Sequence, residues 1–359
     1  MIPLFKVTMA SEAGEAVSRV LASGYVGQGA RVDAFEEELQ AAISAPTRPV
    51  STNSCTSAIT IALMLCDVGP GDEVITTPIT CTATNTPIIL AGARPVWADV
   101  DPITGNIDPE DVARKITPRT KAIIAVDWSG RPCDYDHLRR ISGFVPIIQD
   151  AAHTPFPVFG GDYACMSFGP IKHLSCGDGG ALVVTGNRFE PDAQIASARL
   201  LRWYGLDRDS KKSFRCEQDI ARVGGKYHMT DINAAIGLAN LPHAYERARQ
   251  HYGNAFFYGR YIVNRSFART PPASLASPWW VYTMVVSDRE SFSRHMASYG
   301  IETSQVHARN DKHSGMNYPN GELPGVDHFD AHQVSIPCGW WVTSEQRRHI
   351  IKAVNDWTP

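Results

Sequence analysis

Apolar positions recur at helical spacing between residues 11 and 45, on either side of a glycine-rich turn, Gly24-Tyr25-Val26-Gly27-Gln28-Gly29. The stretch 32–39 reads as one amphipathic helix. Beyond residue 49 the pattern changes to short apolar runs rich in β-branched residues, separated by polar turns and helix-length segments. Strands are predicted at 49–52, 73–77, 95–100, 121–126, 146–150 and 163–168, and helices at 58–66, 82–91 and around 137–140. Such alternation predicts βαβ units, and so an α/β fold with a mainly parallel sheet between layers of helices. In sheets of this kind ligands bind outside the carboxyl ends of the strands.

After Leu241-Pro242 the pattern changes again. A helix is predicted at 243–261, a strand at 279–286, a helix at 291–299 and a closing helix at 345–357. We read residues 1–241 as a large domain and 242–359 as a smaller α+β domain, with the N-terminal segment able to pack on the smaller one. A chain of 359 residues, 43% apolar and 20% charged, is long enough for both cores. Its net charge of −3, without a basic cluster, argues against a nucleic-acid partner. The opening residues lack a basic segment followed by an apolar one, and no apolar run is long enough to span a bilayer. A cytoplasmic protein without a membrane partner is expected. Eight scattered cysteines, with no Cys-x-x-Cys pair and no Cys/His grouping, predict reduced thiols and no metal site.

Three features carry candidate chemistry. Lys172 follows the predicted strand 163–168 among small residues, in Ser167-Phe168-Gly169-Pro170-Ile171-Lys172-His173-Leu174-Ser175-Cys176-Gly177. An amine tuned by its surroundings can form an imine with a carbonyl cofactor, although a solvated surface lysine has the same local sequence. Asp150 ends the strand 146–150, followed by Ala151-Ala152-His153. A carboxylate there can pair with a protonated pyridine nitrogen, or simply cap a helix. Thr52-Asn53-Ser54-Cys55-Thr56-Ser57 lies between a strand and a helix, where amides and hydroxyls favour a phosphate; a capping loop without ligand has the same composition. All three sit at strand ends.

With these residues in place, the chain resembles the DegT/DnrJ/EryC1/StrS family of sugar aminotransferases, pyridoxal-phosphate (PLP) enzymes of the aspartate-aminotransferase fold. The likeness extends from Ile2-Pro3-Leu4 to Gly224-Gly225-Lys226-Tyr227-His228-Met229-Thr230-Asp231. It implies that Lys172 forms the Schiff base with PLP, that Asp150 holds the pyridine nitrogen and that His153 neighbours the ring hydroxyl. It also implies that Cys55, Thr56 and Ser167 hold the phosphate, with pyridoxamine phosphate formed between two half-reactions. A homodimer with shared sites is implied by the segment containing Lys226 and His228, which in the family reaches the neighbour's cofactor and the donor carboxylate. Lys226 and His228 replace the family's Asn and Arg there, Cys81 stands where an aromatic commonly stacks on the ring, and Cys55 replaces a glycine. His307 and Arg309 lie in a donor-rich segment, 304–313, able to bind a sugar or its phosphates. Arg202-Trp203-Tyr204-Gly205 is a further candidate edge, although both stretches also fit ordinary loop or packing roles. The implied reaction moves an amino group from glutamate or another amino acid to a nucleotide-linked keto-sugar. The rivals are a dehydratase of the same family, against which the retained Lys172 argues, and a non-catalytic PLP-binding regulator.

Overall fold

The six predicted strands meet in one sheet with a seventh that the sequence pattern does not predict: β1 (Val50–Thr52), β2 (Glu73–Thr76), β3 (Arg94–Trp97), β4 (Thr120–Val126), β5 (Ile147–Asp150), β6 (Tyr163–Ser167) and the added β7 (Gly180–Val184). The computed structural model describes residues 1–208, 210, 215–319 and 321–359. Spatial order is β1-β7-β6-β5-β4-β2-β3. β7 is antiparallel to β1 and β6, while the strands from β6 to β3 are mutually parallel. The carboxyl ends of β1, β2, β4, β5 and β6 therefore share one edge with the amino end of β7.

The period-two pattern explains why both faces are covered. In β6, Tyr163 and Cys165 enter one apolar cluster, with the helix Cys55–Leu65, and Ala164 and Met166 enter another, with Phe35 and Leu174. In β4, Ala122 and Ile124 share the first cluster, and Ile123 and Ala125 a third with Leu138. Each fully buried Ile or Leu contributes roughly 1.5–3 kcal/mol.

The C-terminal part carries a second, antiparallel sheet of β8 (Ala268–Arg269), β9 (Tyr282–Val286) and β10 (Gln333–Ile336), in the order β10-β9-β8. It packs with the helices Arg289–Ser298 and Ser344–Asp356 around Tyr258, Phe292 and Trp357, and Ile2 joins this cluster from the other end of the chain.

Besides β7, the strand β10 and the helices Pro109–Lys115, Pro191–Leu201 and Pro324–His332 have no predicted counterpart, and two predicted elements have other bounds. The helix predicted from residue 243 starts at Asp231 and runs unbroken to Tyr261. Pro242 removes one backbone donor, but the helix carries Ala234 and Leu241 into one core and Ala255 and Tyr258 into the other, and that burial outweighs the lost bond. It thus crosses the expected boundary at 241/242. β9 begins at Tyr282 rather than at residue 279, because Trp279 has φ +54° and turns the chain.

Candidate active site

The shared sheet edge brings the sequence motifs together. Thr52 and Ser167 both pair with Gly180, one from each side, so the ends of β1 and β6 lie two strands apart. Directly after β1 the helix Cys55–Leu65 begins, capped by Ser54, whose Oγ accepts from the Ser57 amide at 3.1 Å. Ser54 also accepts the Ala58 amide through its carbonyl. Among the described residues no acceptor meets the amides of Cys55 and Thr56, leaving two donors at the positive end of the helix dipole. Gly180 makes this approach possible: a Cβ there would lie 2.4 Å from the Cys55 nitrogen.

Asp150, at the end of β5, is 3% exposed. Its Oδ2 accepts from Thr84 Oγ1 at 2.7 Å and its Oδ1 from the Ala152 amide at 3.0 Å, with Cys55 Sγ at 3.9 Å. Burial pushes the carboxyl above its usual range, against these donors and the Lys172 charge. Lys172 sits in the turn after β6, its amide bound to the Gly169 carbonyl at 3.1 Å. Burial lowers its amine to about 8, opposed by the field of Asp150 and nearby Cys55 and Cys81. Cys81 occupies the N-cap of the helix Thr82–Leu90, so it faces the same space as Lys172 without offering a ring to stack.

A second wall faces this edge. His153 Nδ1 accepts from the Ser129 amide at 3.2 Å, which places the ring proton on Nε2 as a donor. Its ring stacks on Trp280 at 4.1 Å and lies parallel to His307 at 5.7 Å. Burial, then the Lys172 charge, hold His153 well below its ordinary pKa and His307 at about 4, so both are neutral at physiological pH. His307 Nε2 is buried without a partner among the described residues. Ser129, Trp279 and Val306, at or beside these contacts, all have positive φ, at 56°, 54° and 66°. Such conformations persist only where packing over-determines them, and they concentrate at functional sites.

The remaining candidates divide. His307 joins the cluster, but Arg309 turns elsewhere, its guanidinium bound to Asp311 at 2.6 and 2.7 Å and to Asp327. Segment 304–313 meets the loop after β2 instead through Asn310, which donates to the Thr80 carbonyl at 2.8 Å and accepts from Asn85 at 2.8 Å. Lys226 points its exposed side chain outward, while its carbonyl accepts from Asn53 at 3.2 Å. His228 is buried edge-on against Trp203 at 4.2 Å and lowered to about 4 by burial, then Arg208, so it carries no charge for a carboxylate. Arg202 is likewise no substrate edge: it is buried, donating to Glu36 at 2.7 Å and to the Ser51 carbonyl at 3.0 Å. Sequence reasoning missed Thr84, Ser129 and Trp280. Only Thr84 left a signal, as one of several threonines in a helix they disfavour, spent here on Asp150 rather than on the helix.

The donor set fits PLP. Helix amides and the Ser167 hydroxyl could hold a phosphate, Asp150 a pyridine N–H, His153 Nε2 the ring oxygen and Lys172 the aldehyde carbon. Among the described residues no His, Cys, Asp and Glu group could hold a metal ion, and no helix is long and apolar enough to cross a membrane. Comparison with known proteins agrees on the chemistry. The chain matches the model of the DegT/DnrJ/EryC1/StrS aminotransferase family over residues 7–355. It is similar to the crystal structure of AtS13 from Actinomadura melliaura, at 41% identity and TM-score 0.93, covering 100% of this chain and 99% of that one. The sugar aminotransferase CalS13 from Micromonospora echinospora is similar at 35% identity and TM-score 0.93, covering 99% and 100%. The spore coat polysaccharide biosynthesis protein SpsC of Bacillus subtilis is 29% identical over 377 residues, 95% of this chain and 92% of SpsC. With fold and family model agreeing over nearly the whole length, this chain belongs to the DegT/DnrJ/EryC1/StrS aminotransferase family and is a PLP-dependent aminotransferase.

Proposed function

We propose that the enzyme moves an amino group from glutamate to the carbonyl of a nucleotide-linked keto-sugar, with Lys172 as the catalytic base. The observation that carries this is the convergence of a deprotonatable amine, a buried carboxylate and free helix amides at one sheet edge. Bound PLP supplies an electron sink for the bond broken at the donor's α-carbon. Around it, Asp150 keeps the ring nitrogen protonated, and His153 Nε2–H orients the ring from its oxygen. Lys172 Nζ would take the donor's α-proton and pass it on to the cofactor within the same half-reaction, and would carry a proton the opposite way, from cofactor to acceptor, in the second; a pKa of about 8 leaves enough neutral amine for that role. The amides of Cys55 and Thr56 with Ser167 hold the phosphate, and the exposed Lys226 reaches the phosphate of a second copy, so the working unit is a homodimer with shared sites. The sugar acceptor is supported by CalS13, a sugar aminotransferase, and by SpsC, a polysaccharide biosynthesis protein.

The test is to screen 3-keto and 4-keto nucleotide sugars with glutamate, following 2-oxoglutarate. Parallel initial-rate lines are expected for a ping-pong reaction, and Lys172→Ala is expected to lose at least about 10³-fold in rate together with its cofactor absorbance. Intersecting lines, or a cofactor band unchanged in Lys172→Ala, would sink the reading. Sedimentation as a monomer at micromolar concentration would remove the shared site.

A further inference from the structure

The loop 277–280 clasps the Lys172 turn from two sides. Trp280 Nε1 donates to the Ile171 carbonyl at 3.0 Å, and His173 Nε2 meets the Pro278 carbonyl at 3.3 Å. Trp280 is held in turn. Its amide donates to the Ser129 carbonyl at 3.1 Å, its ring stacks on His153, and Phe5 covers it at 5.1 Å. The side chain is 3% exposed. Trp279, in a left-handed conformation unfavourable for an aromatic residue, turns it inward.

Over this fixed ring lies Lys172 Nζ, 3.6 Å from the centroid. The titratable groups facing the amine are Asp150, Cys55, Cys81, His153, His173 and His307. The histidines are neutral and the Asp150 oxygens already take bonds from Thr84 and Ala152, so the ring face is the amine's direct partner among the described residues. An aromatic face attracts a cation through its quadrupole, holds a neutral amine far less and accepts no proton. Such a partner grips the lysine in one protonation state and releases it in the other.

We propose that Trp280 is a positioning residue for the catalytic lysine: its ring face holds the Lys172 ammonium whenever that amine is not bonded to the cofactor, and lets go when the proton leaves. The inference rests on the reading of Lys172 given above. It also gives Trp280 a role distinct from the ring-stacking aromatic that Cys81 replaces.

The test is competitive acetylation of Lys172 across pH 6–10, read by peptide mass spectrometry on full-length protein stripped of cofactor with hydroxylamine. Trp280→Phe keeps a weaker face and is expected to lower the amine's apparent pKa by a few tenths of a unit; Trp280→Leu removes the face and should lower it by about one unit. Labelling of the Leu variant at pH 7 then rises about fivefold, as an amine at about 8 moves to about 7. A pKa in Trp280→Leu equal to that of the native protein overturns the proposal. Should the Leu variant fail to fold, the native sequence grown with 5-fluoro- and 5,7-difluorotryptophan carries the same test, since fluorination weakens the ring's negative face without removing the ring. A stepwise fall in pKa is expected, and an unchanged pKa overturns the proposal. Borohydride is expected to fix the cofactor to Lys172 in the holoenzyme; fixation at another lysine overturns the reading of Lys172 itself. That failure is told apart from failure of the Trp280 role, because the amine pKa is measured without cofactor.

Discussion

At the sheet edge, Thr52, Gly180 and Ser167 sit in register across three strands, and Asp150 ends the strand beside them. On the facing wall, His153, Trp280 and His307 are brought together by loops in which Ser129, Trp279 and Val306 are all left-handed. The edge is positioned by a hydrogen-bonded ladder in which each residue's place follows from its neighbour's. The wall is positioned by packing that compels several residues into conformations they disfavour. Failure at the edge should therefore be abrupt and chemical, and failure at the wall graded and sensitive to conditions.

Asp150→Asn strikes the edge hardest. It leaves the ring nitrogen without its charged partner, and the expected loss in kcat is roughly 10²–10³-fold, with the fold retained in circular dichroism. A variant within threefold of native activity would take Asp150 out of the chemistry. Gly180→Ala drives a methyl into the backbone of Ser54 and Cys55, which cannot yield as a side chain would. Cofactor Kd, followed by absorbance titration, should rise about tenfold or more.

The wall is addressed through acid. His251 Nδ1 meets the Trp279 carbonyl at 2.9 Å, and burial lowers the ring to about 4. The unfolded chain takes up the proton near 6.5, so the stabilisation is complete above that pH and is lost as pH falls towards 4. At pH 5 the native protein should lose about 2 kcal/mol relative to pH 8 through this residue, a loss that His251→Gln removes. A Tm difference between native and variant that stays constant from pH 8 to pH 5 would contradict the burial argument. The smallest effect belongs to Val306→Gly. It relieves a left-handed β-branched residue, worth about 1–2 kcal/mol, and adds about 1 kcal/mol of chain entropy to the unfolded state. Tm should change little, whereas the acceptor's KM should rise a few-fold as His307 loosens. A large drop in Tm would show that Val306 packs more than it strains.

The edge was partly legible in the sequence. β-branched runs end where a polar or small residue follows, so Asp150, Lys172 and the 52–57 segment stood out as candidates at strand ends, but each also fitted a helix cap, a surface lysine or a bare loop, and their roles were implied only by the family resemblance. The wall was not legible. Trp279-Trp280 followed by Val281 and Tyr282 has the composition of a strand, and nothing local signals that Trp279 breaks it. Pro242 misled in the opposite sense, reading as a helix boundary where burial against two cores carries the helix through. Arg309 and Arg202 promised substrate contacts by residue type, but Asp311, two residues along the same segment, claims the first, and Glu36, far away in the chain, claims the second.

Local pattern determined the alternation of strands and helices over residues 49–168 and put an amine, a carboxylate and a polar turn at strand ends, because backbone periodicity and turn chemistry act over a few residues. Tertiary structure decided which side chains meet that amine. Lys172 and Trp280 are brought 3.6 Å apart by loops from different parts of the fold, and that contact is set by packing between cores rather than by any spacing along the chain.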